Sequence, residues 1–238
     1  DNINYLKNIY DKFNVGPTSF NMSYRLKSGS NHKKKNKAIA LFTGGVDSFY
    51  TLLTSHKSFD AILFVINYDV SEKKPYLLHK QLETLKLVAN KFNKELIISK
   101  SNHWDLIRQK KINYLPELSK YHRGDIWGKF LHGPALISNA YNLSNDFNKL
   151  FIPSTHHPEF INFLWGSMRE IDPLYSSEDL EIVHNGDYGR FEKIKKILEI
   201  DKSVIFKNLK VCYKNPDQIY NCSSCRKCIQ TLISIELI

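Results

Sequence analysis

Apolar and polar positions along the chain fall into two regimes. In residues 1 to 14, Ile3, Leu6, Ile9 or Tyr10 and Phe13 recur at helical spacing, which predicts an amphipathic helix. Residues 19 to 26, "SFNMSYRL", alternate Phe20, Met22, Tyr24 and Leu26, which predicts a strand. A polar stretch, "KSGSNHKKKNK", follows. Beyond it the pattern becomes strand, turn, helix, repeated. "AIALFT" is a continuous apolar run, as expected of a strand buried on both faces. "AILFVINY" (61 to 68), "ELIISK" (95 to 100), "KLFIPS" (149 to 154) and "LEIVHN" (180 to 185) are further strands. Helices are predicted over 76 to 93, where Leu77, Leu78, Leu82, Leu85, Val88, Ala89 and Phe92 share a face, over 129 to 146, and in "RFEKIKKILEI".

Strands alternating with helices at this spacing predict an α/β fold with an open, parallel, Rossmann-like sheet and right-handed crossovers. The domain reading is an appendage with a basic linker over 1 to 36, resembling the end of a truncated domain, a nucleotide-binding domain over 37 to 207, and a metal-binding tail with a terminal helix over 208 to 238. The 238 residues, 42% hydrophobic and 13% aromatic, supply an ample core and exclude global disorder. No apolar run approaches the roughly 18–20 residues of a membrane span, and no signal peptide is read, so the expected location is the cytoplasm. The chain opens on Asp1, as a segment of a longer protein would. A protein partner could act through what precedes it, and a homodimer is also considered.

Net charge is +10, and "HKKKNK" puts four lysines in six residues. Such a run reads first as a solvated linker and second as a general attraction to polyanions, ATP or nucleic acid. Nucleic-acid binding has no further support in the sequence, since it also demands a groove or aromatic platform, which only a tertiary structure shows.

The turn "TGGVDS" joins the first sheet strand to its helix, at the edge of the sheet where ligands bind in such folds. Gly44 and Gly45 permit unusual backbone angles, and the N–H groups around Val46, Asp47 and Ser48 would face an anion at the helix start. Thr43 and Ser48 can donate hydroxyl hydrogen bonds to phosphate. Asp47 beside an anion makes sense if it holds Mg²⁺ bridging to the phosphates. An ordinary strand-to-helix turn with a polar N-cap is the alternative. "FTGGVDS" resembles the S-G-G-x-D-S signature of the PP-loop ATP pyrophosphatases, with Thr43 in place of the first Ser. The resemblance implies an adenine nucleotide α-hydrolase-like fold. It also implies ATP as co-substrate, cleavage to AMP and pyrophosphate, Asp47 and Ser48 as catalytic positions, and Tyr68 and Asp69 near the adenine.

All four cysteines lie near the end, Cys212 and then "CSSCRKC" with Cys222, Cys225 and Cys228. C-x₂-C steps with a fourth cysteine upstream suit a Zn²⁺ site of four thiolates that fastens the tail. An iron–sulfur cluster is the rival, and disulfides are disfavoured without secretion signals. The loop and the cysteine spacing together resemble the 7-cyano-7-deazaguanine synthase family of queuosine biosynthesis. The middle of the chain departs from that family's motifs. Its Gly-Arg-Asn segment is met at best by "LHGPALISNA", and its Gly-Tyr-Pro-Asp-Cys segment is not recognisable. The resemblance is to a divergent branch of synthase-like proteins.

Polar residues recur after successive strands. His132 and Gly133 stand at the start of one segment, Ser154, Thr155, His156 and His157 follow the fourth strand, and His184, Asp187 and Arg190 follow the fifth. His132, Ser154, His156, His184, Asp187 and Arg190 are the candidate substrate residues. "IDPLYS" reads as a turn at Asp172 and Pro173, with Ser176 and Ser177 capping a short helix. The expected activity is C–N ligase or synthase chemistry, in which ATP adenylates a carboxylate-like substrate and an amine or ammonia displaces AMP. A tRNA thiolation enzyme of the same class and a non-catalytic nucleotide-binding subunit are the alternatives.

Overall fold

The computed structural model describes residues 2–13, 36–103, 126–157 and 163–238. The expected strand over 19 to 26 and most of the lysine-rich linker lie outside these. The elements run α1 (Asn2–Lys12), β1 (Ala38–Leu41), α2 (Val46–Ser55), β2 (Ala61–Ile66), α3 (Pro75–Lys91) and β3 (Glu95–Lys100). A widened π-type turn (Ile126–Leu131) leads into α4 (His132–Tyr141), then β4 (Lys149–Pro153), β5 (Glu181–Asn185), α5 (Arg190–Lys207) and α6 (Arg226–Glu236).

The five strands form one parallel sheet in the order β3-β2-β1-β4-β5. Ile39 of β1 stands opposite Ala61 of β2 on one side and Leu150 of β4 on the other. Side chains alternate across the sheet, so β1 feeds two cores. Ala38, Ala40 and Phe42 join Phe49, Leu52, Leu77, Leu85, Ile194 and Ile197 from α2, α3 and α5. Ile39 and Leu41 join Ile137 and Ala140 of α4 with Leu150 and Ile152 of β4. Cover on both faces explains why β1 and β2 read as unbroken apolar runs rather than alternating ones. The α1 helix packs against Leu164, Met168 and Ile171 through Leu6, Ile9, Tyr10 and Phe13. Among the described residues, no helix is long and apolar enough to cross a membrane.

Three local expectations are corrected. The helix expected over 129 to 146 begins at His132 and ends at Tyr141. Pro134 can sit only in a first turn, where its missing N–H is not needed, so the segment before it takes a wider coil. The helix after β5 extends to Lys207 but breaks at Asp201 (φ −156°, ψ 92°), whose carboxylate accepts from the N–H of Ser203 and so caps the second part. Ser176 is the C-cap of a short 3₁₀ helix (Asp172–Tyr175), closed by its backbone N–H, while Ser177 lies beyond it and caps none. Their hydroxyl oxygens accept from the N–H groups of Ile182 (2.9 Å) and Leu180 (3.3 Å), which fixes the entry into β5.

Candidate functional site

The chain runs outward from β1 through β2 to β3, then returns to place β4 on the other side of β1. At that switch the loops after β1 and β4 leave in opposite directions, and a cleft opens beyond the carboxyl ends of the strands. The cleft has a volume of about 330 Å³ and is lined by Thr43, Gly45, Val46, Asp47 and Ser48 on its floor.

The floor is a built turn. Gly44 has φ +75°, and a Cβ there would also meet Nε2 of Gln81 at 3.1 Å, so a residue without a side chain is required. Gly45 differs from expectation: it is the extended N-cap of α2 (φ −81°, ψ 174°), and an added Cβ would make only ordinary contact. Its role is to start the helix. The N–H groups of the first turn of α2 have no acceptor within the helix, and they add to the positive end of its dipole. The turn is held from outside by Gln81, whose Nε2 donates to the carbonyl of Thr43 (2.9 Å). Gln81 in turn accepts from the Tyr220 hydroxyl (2.8 Å). The N–H of Lys210 donates to the carbonyl of Gly44 (2.8 Å).

Two loop residues have partners that the sequence did not foresee. The Ser48 hydroxyl donates to the carbonyl of Gly45 (3.1 Å), so it faces the turn and offers a ligand only a lone pair. Asp47 Oδ1 accepts from Nζ of Lys193 at 3.0 Å.

Cations from the last third of the chain surround the floor. Arg190 lines the cleft, and its Nη2 donates to Thr231 (3.3 Å). Burial holds its guanidinium below the usual range, opposed by Asp47. Lys210 is nearly buried, and its Nζ donates to the carbonyl of Cys212 (2.6 Å) and to Asn215. Burial lowers the Lys210 ammonium also. Lys227 completes the set in the wall. Against Asp47 and Asp69, these groups leave a field that favours an anion.

Opposite the floor stands a wall of rings. Tyr68 stacks on His103 (centroids 4.1 Å, planes 8° apart), and Trp127 packs on His103 at 4.7 Å. Trp127 meets His132 edge-on, and His132 leads on to Trp165 and then His156. Tyr68 is anchored by donating to the carbonyl of Ala135 (2.7 Å) and accepting from Asn139 (3.2 Å). Burial pushes the His132 imidazole down to about 4, against the pull of Asp172, so the ring is neutral at pH 7. Among the described residues, Nδ1 of His132, Nε1 of Trp165 and Nε of Arg190 are buried without a hydrogen-bond partner. All three residues line the cleft, and buried polar atoms of this kind are normally satisfied.

Of the residues expected at the rim, Thr43, Gly45, Val46, Asp47, Ser48, Tyr68, Asp69, His132 and Arg190 line the cleft. Gly44 does not line it. Ser154 is fully buried behind the wall, donating to the carbonyl of His156 (3.0 Å). His156 packs on Trp165 rather than on the cleft itself. His184 and Asp187 are not brought there. His184 is buried, with Nδ1 2.7 Å from Asp172 Oδ2 and Nε2 3.4 Å from Asp187, which also faces Arg169. Strand β5 is the edge strand, one strand beyond the switch, and of the three rim residues expected after it only Arg190, at the start of α5, reaches the cleft. Asp172, expected in a bland turn, is fully buried and also accepts from the Ser167 hydroxyl (2.8 Å).

Lys193, Lys210, Gln81, Trp127 and Trp165 were not singled out in the sequence. These two tryptophans did carry a signal, since both are followed by glycine. Gly166 N–H donates to the carbonyl of Gly128 (2.6 Å), and Gly133 N–H donates to that of Gly166 (3.0 Å). These close backbone contacts bring Trp127, His132 and Trp165 to one wall.

The four Sγ atoms of Cys212, Cys222, Cys225 and Cys228 lie within 4.8 Å of one another, with Cys212 and Cys225 at 4.0 Å. A regular tetrahedron around Zn²⁺ with bonds of about 2.3 Å sets sulfurs about 3.8 Å apart. The donor set therefore fits one zinc ion. All four are free thiols. Hydrogen bonds from Ser224 hold Cys222 down at about 5, while burial pushes Cys228 up to about 12. Cys212 also lines the cleft, so the tail is a wall of the cleft as well as a fastening.

No family model matches the chain, and no curated protein does. Among solved structures, the fold is similar to one titled "Structure of NMN synthetase from Francisella tularensis". That likeness has a TM-score of 0.37 at 13% identity and covers 73% of this chain and 66% of that one. Similarity of this degree carries no inference about activity.

Proposed function

We propose that the chain binds ATP with its phosphates on the Gly44–Gly45 turn and transfers AMP to a carboxylate-like substrate, releasing pyrophosphate. The observation that carries this is the turn itself. A left-handed glycine, a ten-residue helix with open first-turn N–H groups and four nearby cationic side chains meet at the switch point of a parallel sheet. The resemblance of "FTGGVDS" to the PP-loop signature supports cleavage between the α and β phosphorus atoms. A substrate oxygen attacks the α-phosphorus, the bond to the bridging oxygen breaks, and pyrophosphate leaves. An amine or ammonia then attacks the activated carbon, and AMP leaves with the former carboxylate oxygen. The chain's part is electrostatic: first-turn N–H groups, Lys210 and Arg190 stabilise charge on the phosphates. Asp47 is the residue that would hold Mg²⁺, whose charge would offset that of the triphosphate. The finer reading, a branch similar to 7-cyano-7-deazaguanine synthases, rests on the loop and on the four-cysteine set.

The test is to incubate the protein with ATP, Mg²⁺, ammonia and a panel of carboxylic acids, and to separate the nucleotides. AMP and pyrophosphate in equal amounts, lost in Asp47→Ala, are expected. ADP as product, or no ATP binding by calorimetry, would overturn the assignment. One observation favours a second reading, sulfur transfer to an adenylated base: Cys212 stands in the cleft wall. A persulfide on Cys212 by mass spectrometry would select it.

A further inference from the structure

Lys193 projects from the first turn of α5 and is 1% exposed. Burying an ammonium costs several kcal/mol, and a well-packed apolar residue at such a place is often at least as stabilising as an ion pair. Stability alone therefore does not account for it. Its Nζ has two acceptors on different elements, only one of which lines the cleft. One is Oδ1 of Asp47 in the first turn of α2 (3.0 Å), the other the carbonyl of Ser154 at the carboxyl end of β4 (2.5 Å). From Ser154 the chain passes to Thr155, which lines the cleft. Lys193 thus joins the loop after β1 to the loop after β4 across the switch point. It also sits near the Tyr50 ring, at 5.9 Å from the centroid.

We propose that Lys193 is a positioning residue for the magnesium-dependent step of nucleotide binding, a proposal that rests on the ATP reading above. Holding Oδ1 of Asp47 stops the carboxylate from rotating and leaves its other oxygen for a cation. The ammonium also offsets a negative charge that would otherwise repel the incoming triphosphate. Asp47 is one-quarter exposed and Lys193 is buried, so the pair orients an accessible carboxylate from behind.

The experiment measures ATP binding by calorimetry over a series of Mg²⁺ concentrations, in the wild-type chain and in Lys193→Met. Losing a charge-assisted hydrogen bond shifts an equilibrium about tenfold or more. The Mg²⁺ concentration giving half-maximal ATP binding should therefore rise about tenfold, while affinity at saturating Mg²⁺ changes less than about threefold. Equal weakening at every Mg²⁺ concentration, as a merely structural role would give, overturns the proposal. So does an unchanged Mg²⁺ requirement. Thermal melts check folding, and if Lys193→Met unfolds, Lys193→Gln carries the same expectation, since it removes the ammonium and keeps a polar donor. A wild-type chain that binds no ATP at any Mg²⁺ concentration overturns the nucleotide reading and this proposal together. Wild-type binding with an unaltered variant overturns this proposal alone.

Discussion

Gly133→Ala tests whether the glycine contacts hold the aromatic wall. The added Cβ would lie 2.1 Å from the carbonyl oxygen of Gly166 and 3.1 Å from Oδ1 of Asp172. Neither can yield easily, since one is backbone and the other belongs to a fully buried side chain. Restoring an ordinary contact moves Gly166 by about 1 Å, a shift of the overpacking kind that costs about 1–3 kcal/mol. That shift breaks the bond from Gly133 N–H to Gly166 and loosens the one from Gly166 N–H to Gly128, at about 0.5–1.5 kcal/mol each. Alanine within α4 returns about 0.5–1 kcal/mol. The net is a loss of about 2–4 kcal/mol, or a fall in melting temperature of roughly 5–15 °C for a chain of this size. The assay is thermal and urea unfolding beside Gly189→Ala, whose Cβ meets only the flexible carboxylate of Glu192. The control should stay within about 1 kcal/mol of wild type. A Gly133→Ala chain as stable as that control would refute the argument.

Three further outcomes are expected. Cys225→Ser, or chelation of a metal held by the four cysteines, should weaken ATP binding in calorimetry about tenfold as well as lower the melting temperature, because Lys210 and Cys212 form cleft wall and tail together. Gln81→Ala removes the donor to Thr43 and the acceptor of the Tyr220 hydroxyl, so unfolding should show a loss of about 1–3 kcal/mol, with Gln81→Glu no substitute because it cannot donate. Stability should fall as pH drops from about 6.5 to 4: the folded His132 has the lowered affinity for protons, so the unfolded chain takes them up first across that window. The loss from this ring is at most about 3 kcal/mol, most of it reached at pH 4 and the rest about a unit below, and urea titrations of His132→Asn should lack it.

The three central strands, β1, β2 and β4, were legible because each is covered on both faces, and an unbroken apolar run of the right length has few other folds. The turn after β1 was legible for a similar reason: a glycine pair between such a strand and an amphipathic helix leaves little choice of geometry. The cysteine set was legible in its spacing alone, since C-x₂-C steps bring thiolates together through local chain geometry.

What the sequence by itself determined was therefore local: the parallel α/β repeat, the turn at Gly44 and Gly45, and the convergence of the cysteines. Strand order lay beyond it, and strand order decided that β4 rather than β5 borders the cleft, drawing in Thr155 and leaving His184 and Asp187 among their own partners. Only the tertiary structure could place Lys193 on Asp47, 146 residues away, or set Lys210 against Gly44. A pattern of periodicity records which face of an element is apolar, but a long-range ion pair depends on how whole elements pack. Information of that kind is held by no single segment.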